Sequence, residues 1–264
     1  CKIYFFISIL FLYLWCYVNV NNQMNPEFIH TYVSVDCVVF GFDYENRLNI
    51  LLVQRHVENM PVDSQRKLQG SLIFSNEDVD DAANRVMYEL TGIKKMVLKQ
   101  FKCFADPGRA SNQNDIKWMG TEYKHNIDRI ITVAYLSLCK IDHKINSSKY
   151  DTVDWHPIDK VPQLPFDHNK IINESLIEIR KWMETDFSII FELLPKKFTI
   201  RMLYQLYSAV SEKQIDIKNF HKKISSFSYI IQLEEIEQNV SHRAARYYRF
   251  DPKIYKKTHN KLIK

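Results

Sequence analysis

The carboxy-terminal part of the chain carries basic and amide side chains at a spacing that suits contact with a nucleic acid. Asp216 can cap a short helix on which Lys218, Asn219, Lys222 and Lys223 point away from an apolar side. The apolar side consists of Ile217, Phe220 and Ile224. Lysine contacts the phosphates of DNA, and asparagine can read the edge of adenine in the major groove. We therefore predict that this segment is a recognition helix.

A preceding helix and a following hairpin complete the predicted domain. Thr199 can cap the first helix, whose buried face is predicted to contain Met202, Leu203, Leu206, Tyr207 and Val210. Two strand-like runs follow at 229–233 and 245–250, and Arg243 and Arg246 lie at their connection. A helix-turn-helix followed by a basic hairpin is typical of a winged helix, whose arginines can reach phosphates or the minor groove. The alternative is that these basic side chains only solubilise a small helical domain.

The net charge is divided unevenly along the chain. The protein has 264 residues, with 36 Lys and Arg and 31 Asp and Glu, so its formal net charge is +5. Residues 195–264 carry fifteen of the basic and six of the acidic residues, a net charge of +9, which leaves −4 for the remainder. This asymmetry predicts that the end of the chain meets a polyanion, for which double-stranded DNA is our candidate.

The sequence contains no pattern typical of a metal site or of a disulfide framework. The five cysteines at positions 1, 16, 37, 103 and 139 form no CxxC pair, and the nine histidines have no metal-ligand spacing. We therefore predict no metal, no cofactor and free thiols in a reducing compartment, the cytoplasm. Cys37 and Cys139 lie in apolar runs and are expected in the core.

The first 23 residues differ from the rest of the chain. Ile3 to Val18 is almost unbroken in its apolar character and would span about 24–27 Å as a helix, slightly less than the ~30 Å of membrane hydrocarbon. Three interpretations remain open, namely a short anchor, a signal-peptide core, or sequence upstream of a true start at Met24. We favour the third, and expect a membrane role only if residues 3–18 are genuine.

Residues 28–168 predict an α/β sandwich. Strands are expected at 32–42, 48–55, 97–104 and 130–139, with an amphipathic helix between the second and the third. Asp78 can cap the start of this helix, and Gly92 can end it in a left-handed conformation. A second helix is expected after Asp167 and His168, which we assign to its turn and cap. Strands mixed with a few helices imply layers of helices on a sheet.

The segment around the first helix resembles the Nudix box. This family pattern consists of a glycine, a glutamate and an Arg-Glu-aliphatic-x-Glu-Glu-x-Gly-aliphatic run at fixed spacing. The matching residues are Gly70, with Ser71 at the consensus glycine, Glu77, Arg85, Met87, Glu89, Gly92 and Ile93. In the family, the helix glutamates hold the divalent cation that neutralises a pyrophosphate and activates water. Here Val86 and Leu90 replace two of the three glutamates, and their spacing of four puts them on one helix face. The resemblance therefore implies a Nudix fold without hydrolase activity.

The order of the two predicted domains resembles the Nudix-related transcriptional regulators, among them the NrtR group and the arabinose-responsive AraR group. The similar stretches are 79–85, 89–93, 129–135, 166–168, 193–199, 218–220 and 243–250. The resemblance implies a homodimeric regulator with a Nudix-type α/β/α sandwich, a mixed sheet and a winged helix. Its effector would be a sugar such as arabinose, or ADP-ribose, and would change the placement of the winged helices on a palindromic operator. The alternative is a Nudix hydrolase acting on nucleoside diphosphate derivatives, with a basic accessory domain.

Three polar side chains are candidate effector contacts in the Nudix domain. Arg129 precedes a central strand, Asp106 lies in a connecting loop, and Glu89 can accept hydrogen bonds from sugar hydroxyls. A structural ion pair between Arg129 and Asp106 is an equally weighted alternative. We expect the degenerate Nudix domain at 28–168, a connecting helix at 169–192 and the winged helix at 193–264. The segment 108–126 is longer and more polar than the family's usual connection, which leaves the effector open.

Overall fold

The structure is a computed structural model and describes residues 31–43, 45–55, 65–93, 96–109, 129–141, 151–211, 216–238, 240 and 243–259. The apolar segment 1–23 and residues 110–126 of the long connection lie outside the described residues. In the part of the chain that the structure describes, no helix combines the length and apolar character needed to cross a membrane.

The first domain contains seven strands and two α-helices among the described residues. They are β1 (Thr31–Phe42), β2 (Leu48–Arg55), β3 (Arg66–Lys67), β4 (Gln69–Leu72), α1 (Val79–Thr91), β5 (Lys99–Phe104), β6 (Arg129–Lys140), β7 (Asp151–Pro157) and α2 (His168–Thr185), with a 3-10 turn at Ile158–Lys160. The four predicted strands are confirmed. The short strands β3 and β4, and β7 with its polar sequence DTVDWHP, carry no apolar run and were not predicted.

The seven strands form one mixed sheet in the order β3-β2-β1-β6-β5, with β4 also pairing with β1 and β7 with β2. β1 and β6 are parallel and pair along their whole length, from Thr31 beside Arg129 to Phe42 beside Lys140. The other pairs are antiparallel. The parallel pair forms the centre of the sheet, and β4 brings the start of the Nudix-box segment against β1.

Both faces of β1 are buried, one beneath each helix of the first domain. Val35, Cys37 and Val39 pack with α1, and the alternate residues Val38 and Phe40 belong to the core that includes α2. A strand covered on both faces has an almost continuous apolar sequence, as the run VSVDCVVF has. The domain is therefore the predicted α/β/α sandwich with a mixed sheet. Cys37 is buried as predicted, whereas Cys139 is only partly buried.

Helix α1 begins and ends at the predicted residues. The Asp78 carboxylate accepts a hydrogen bond of 2.8 Å from the Asp81 backbone N–H, which satisfies an open donor of the first turn. Gly92 has φ = 71°, a left-handed conformation that favours glycine, and its N–H donates to the Tyr88 carbonyl. These two caps set the first and last residues of α1, and its buried residues Ala82, Ala83, Val86 and Met87 set the face that lies on the sheet.

The second domain is a winged helix built on the 3-10 segment Phe187–Glu192. It contains β8 (Phe198–Thr199), α3 (Ile200–Ser211), α4 (Ile217–Ser225), β9 (Ile230–Ile236), β10 (Arg246–Phe250) and α5 (Pro252–His259). Its three strands form a separate sheet in the order β8-β10-β9. The apolar cores of the two domains are continuous through α2 and the 3-10 segment.

The predicted caps of the two helices of the second domain are present. Thr199 Oγ1 accepts from the Met202 N–H at 3.2 Å, and the Asp216 carboxylate accepts from the Asn219 N–H at 2.9 Å.

The prediction that Ile217 joins Phe220 and Ile224 in the core is wrong. Ile217 is 49% exposed, because it is the first residue of α4 and lies one turn before the point where the helix meets α3.

Gly70 allows the close approach of β4 to β1. A Cβ atom at this position would lie 2.0 Å from Asp36 Oδ1 and 2.8 Å from the Val35 carbonyl oxygen. We expect Gly70→Ala to lower the free energy of unfolding by roughly 1–3 kcal/mol, the usual cost of overpacking, because buried groups must move. Urea unfolding measures the change, with Ser71→Ala as the control on the same strand. Equal stability of the two variants would contradict this account of Gly70.

Candidate functional site

The Nudix-box segment is held together by a paired glutamate and arginine. Arg85 donates to Glu77 through Nη2 at 2.6 Å and through Nε at 2.8 Å, and Nη2 also donates to the Leu72 carbonyl at 3.0 Å. The guanidinium lies 3.9 Å from the centre of the Phe74 ring, and the Phe74 N–H donates to Glu77 at 2.8 Å. These contacts fix the loop between β4 and α1.

Both members of this pair are held in their charged forms. Hydrogen bonds from Arg85 lower the pKa of Glu77, and the hydrogen bonds to Glu77 raise the pKa of Arg85. Glu89 lies at the edge of the pair, 3.4 Å from Arg85 Nη1 and with its side chain 57% exposed. Glu77 and Arg85 therefore stabilise the local fold, and Glu89 is the more accessible of the two glutamates.

The residues of the box do not fit a divalent cation. Val86 is buried among the apolar residues between α1 and the sheet, and Leu90 packs against the same group. Mg²⁺ requires oxygen ligands, and neither side chain has one. Among the described residues, no three His, Cys, Asp or Glu side chains lie close enough together to hold a metal ion. The face that carries metal-binding glutamates in the family thus belongs to the core here.

A buried ionic cluster that the sequence did not reveal lies on the opposite face of the sheet. Arg109, five residues after the end of β5, donates to Asp167 Oδ1 through Nη2 at 2.6 Å and to Oδ2 through Nε at 3.1 Å. Its Nη1 donates to the Ile130 carbonyl at 3.2 Å, and Nη2 lies 3.7 Å from Asp36 Oδ2. The Arg109 and Asp36 side chains are only 4% and 8% exposed. We call Asp36, Arg109, Asp167 and His168 the buried ionic cluster.

His168 completes the cluster and links it to β4. Its Nδ1 accepts a hydrogen bond from the Leu68 N–H at 3.3 Å, and its Nε2 faces Asp36 Oδ1 at 3.6 Å. Burial would raise the pKa of Asp36, but attraction to His168 and Arg109, with the hydrogen bond from His168, lowers it below its ordinary value. Asp36 therefore remains ionised inside the protein.

The prediction that Asp167 belongs to the cap of α2 is confirmed, because it is the N-cap residue of the helix. Asp167 occupies the residue before the helix, and its carbonyl accepts from the Ile171 N–H, but its carboxylate makes no capping hydrogen bond. The carboxylate instead forms the bidentate pair with Arg109, because a buried guanidinium requires a counter-charge. His168 is the first residue of the helix and is buried, so it faces the cluster and not solvent.

The three candidate effector contacts do not all lie on one side of the sheet. Asp106 forms an ion pair with Lys170 of α2, which lowers the pKa of Asp106, so the predicted ion pair with Arg129 is absent from the described residues. Arg129 lies four residues before Val133 on β6, so the two side chains point to the same face of the sheet. Val133 packs in the core beneath α1. Within the described part of the chain, the buried Nε of Arg129 has no hydrogen-bond partner. Arg129 and Glu89 thus belong to the α1 side and Asp106 to the α2 side.

A cavity of about 540 Å³ lies towards the other end of β6. Its walls include Leu136 and Leu138 of β6, Trp182 of α2 and Ile189 of the 3-10 segment. Lys99 Nζ lies 4.8 Å from the centre of the Trp182 ring, a cation–π contact. The cavity therefore borders the segment that leads into the second domain and is separate from the Nudix-box loop.

The recognition helix predicted from the sequence presents a basic face to solvent. Lys218, Asn219, Lys222 and Lys223 are all exposed. On the other side, Phe220 is buried, with its ring 5.4 Å from that of Tyr204 and 5.5 Å from that of Tyr207 on α3. This aromatic packing fixes the orientation of α4 and so determines which residues face outward.

The two candidate arginines of the hairpin are also exposed. Arg243 precedes β10, and Arg246 is the first residue of that strand. Arg246 Nη1 lies 3.8 Å from Glu234 Oε2 of β9, but the Arg246 and Glu234 side chains are 43% and 101% exposed, so this ion pair is weak. Both arginines thus remain available to an external anion.

Loss of Arg109 should destabilise the fold strongly. In Arg109→Met, the buried Asp36 loses one of its partners and the partly buried Asp167 loses its bidentate partner, so we expect the free energy of unfolding to fall by about 3–5 kcal/mol. Arg47→Met is the control, because Arg47 is 44% exposed and pairs with Asp43 at the surface, where such pairs contribute about 0–1 kcal/mol. Urea unfolding measures the free energy of unfolding of both variants. Equal losses in Arg109→Met and Arg47→Met would contradict the larger contribution that we assign to the buried ionic cluster.

The low pKa of Asp36 predicts how stability depends on pH. Ionised Asp36 stabilises the fold fully above its unfolded pKa of about 3.9, and this contribution is lost as pH falls through the lower folded pKa. The stability difference between the wild type and Asp36→Asn should therefore be greater at pH 5 than at pH 3. Urea unfolding at these pH values tests this, and a difference that grows on acidification would contradict it.

Comparisons with known proteins agree with this two-domain fold. The family described as the NrtR DNA-binding winged helix domain matches residues 190–250. A MutT/nudix family protein from Enterococcus faecalis is similar in structure, with 20% identity, a TM-score of 0.58 and coverage of 90% of this chain and 93% of that one.

NrtR from Shewanella oneidensis is similar in structure as well. Solved with a 27mer DNA, it has 19% identity, a TM-score of 0.57 and coverage of 85% of this chain and 95% of that one. Solved without DNA, it has 21% identity, a TM-score of 0.58 and coverage of 84% and 95%. No curated protein matches the chain. The chain thus has a Nudix-type fold joined to a carboxy-terminal winged helix, and residues 190–250 are similar to the NrtR DNA-binding winged helix domain.

Proposed function

We propose that the protein is a ligand-responsive, DNA-binding transcriptional regulator whose Nudix domain binds an effector without hydrolysing it. The observation that carries this proposal is the exposed basic face of α4 in a winged helix of NrtR type. The net charge of +9 in residues 195–264 supports it, because cationic surfaces bind the phosphate backbone. The solved complex of Shewanella oneidensis NrtR with a 27mer DNA supports the same use of this architecture. Such a role would be carried out in the cytoplasm.

In the proposed complex, α4 enters the major groove. Lys218, Lys222 and Lys223 contact phosphates, and Asn219 reads an adenine edge. Arg243 and Arg246 of the hairpin reach the neighbouring phosphates or minor groove. A homodimer would place two such helices on a palindromic operator.

The proposed signal passes through α2. Arg109 and Asp167 connect the segment after β5 to the start of α2, and Arg180 Nε of α2 donates to the Val210 carbonyl near the end of α3 at 2.7 Å. A ligand that favours one placement of α2 would therefore bias the placement of the winged helix. A tenfold change in DNA affinity requires only about 1.4 kcal/mol of differential binding.

The proposed effector is a polar metabolite, either a sugar such as arabinose or an ADP-ribose-like compound of NAD metabolism. Arg129 and Glu89 remain its candidate contacts on the α1 side, and Asp106 its candidate on the α2 side. The buried Nε of Arg129, which lacks a hydrogen-bond partner among the described residues, supports a polar ligand near this end of β6, because a buried donor gains most from a new acceptor.

The second candidate function is a Nudix hydrolase with a basic accessory domain. The intact spacing of the box and the pairing of Glu77 with Arg85 favour it, whereas Val86 and Leu90 oppose it. We expect no Mg²⁺-dependent hydrolysis of ADP-ribose or of nucleoside diphosphate sugars, because the site lacks the carboxylates that would hold the cation. Turnover near the ordinary enzyme value of ~1 s⁻¹, measured as phosphate-ester release, would replace our proposal with this one.

DNA binding should depend on the two basic elements. We expect Lys222→Glu on α4 and Arg246→Glu on β10 each to weaken binding to the protein's own upstream region by at least about tenfold, because each replaces a cation that faces phosphate with an anion. The logarithm of the binding constant should fall steeply with the logarithm of salt concentration, and each lost contact should reduce that slope by about 0.9.

Lys160→Glu is the matched control for charge, because Lys160 is an exposed lysine of the first domain, outside the winged helix. Mobility shifts measure the affinities, and circular dichroism checks that each variant is folded. Wild-type affinity in both Lys222→Glu and Arg246→Glu would reject this surface as the DNA-binding one.

A further inference from the structure

Ile217 is an exposed apolar residue at the edge of the basic surface of α4. It is the first residue of α4 and is 49% exposed, although isoleucine is usually buried. Its neighbours Lys218 and Asn219 are exposed as well, and Phe220 is the first residue of the helix to enter the core. The side chain thus contributes little to folding in the position where the structure places it.

The position of Ile217 is fixed by its surroundings. The Asp216 carboxylate accepts from the Asn219 N–H at 2.9 Å and so pins the first turn of α4. Phe220 and Ile224, three and seven residues later, anchor the helix against α3. Because the cap and the buried residues hold the first turn of α4, the exposed side chain of Ile217 has a defined position at the amino-terminal end of the helix.

We propose that Ile217 reads the C5-methyl group of a thymine in the major groove. This inference rests on the proposed function, and it adds a residue that determines sequence specificity. The amino-terminal residues of a recognition helix contact base edges. In the major groove, the thymine methyl is the apolar group that an aliphatic side chain can cover. Lys218 and Lys222 would hold the backbone, and Ile217 would distinguish thymine from the other bases.

A second copy of this chain is a less suitable partner for Ile217. The same surface carries Lys218, Lys222 and Lys223, all exposed. Two such surfaces in contact would place like charges against each other, which is unfavourable. DNA offers phosphates to the lysines and a thymine methyl group to the isoleucine, so it suits both kinds of side chain.

The test deletes the methyl–side chain contact from both partners. The wild-type protein first selects duplexes from a random pool, and each thymine of a selected duplex is then replaced by deoxyuridine, which lacks only the C5-methyl. We expect one replacement to weaken wild-type binding about fourfold, the value of one buried methyl group. Ile217→Ala should lose about the same on the thymine duplex and should be insensitive to the replacement.

Ile236→Ala is the matched control, because Ile236 is an equally exposed isoleucine, 51%, on strand β9 of the same domain. It should keep the wild-type sensitivity to the thymine methyl. Additive effects of Ile217→Ala and the deoxyuridine replacement would overturn the inference while leaving the proposed function intact. A changed oligomeric state in Ile217→Ala, measured by sedimentation, with unchanged base preference would also overturn it. Failure of the wild type to bind any duplex at low ionic strength would instead refute the proposed function.

Discussion

The pairing of Arg109 with the buried Asp36 and the partly buried Asp167 is the interaction on which the first domain depends. Arg109 bridges the segment after β5, the central strand β1 through Asp36, and the start of α2 through Asp167. Charges this well buried are tolerated only when each one has a partner of opposite sign and hydrogen bonds. Gly70 permits β4 to pack closely against Asp36 of β1. The neighbouring Leu68 N–H donates to His168, so His168 and Asp36 lie beside the same part of β4.

The Nudix-box frame is preserved, whereas two of its helix glutamate positions are occupied by Val86 and Leu90. Arg85 and Glu77 still tie the Nudix-box loop to α1, so the strand–loop–helix geometry is preserved. Val86, by contrast, lies in the apolar layer beneath α1, where a carboxylate would be buried without a partner. The contacts that hold the loop are therefore made by other residues than Val86 and Leu90, which occupy the glutamate positions of the Nudix pattern.

The two domains are joined by packing as well as by the chain. Phe191 of the 3-10 segment stacks on Phe250 of β10 with ring centres 4.2 Å apart, and the Tyr255 hydroxyl donates to Asp186 at the end of α2 at 2.6 Å. These contacts continue the core of the sandwich into the winged helix. A displacement of α2 would therefore be transmitted to the second domain, which is the physical basis of the regulation that we propose.

The local features of this protein were determined by the sequence itself. The capped ends of α1, α3 and α4, the four long strands and the basic face at Lys218–Lys223 all follow from short-range patterns, which are strong when apolar periodicity and caps agree. The short strands β3 and β4, the ionic cluster and the exposure of Ile217 were decided only by the tertiary structure. Arg109 and Asp36 are 73 positions apart in the sequence. No local sequence pattern predicts an ion pair between residues so far apart. Burial depends on what another element covers, and that information lies in the packing of the whole chain.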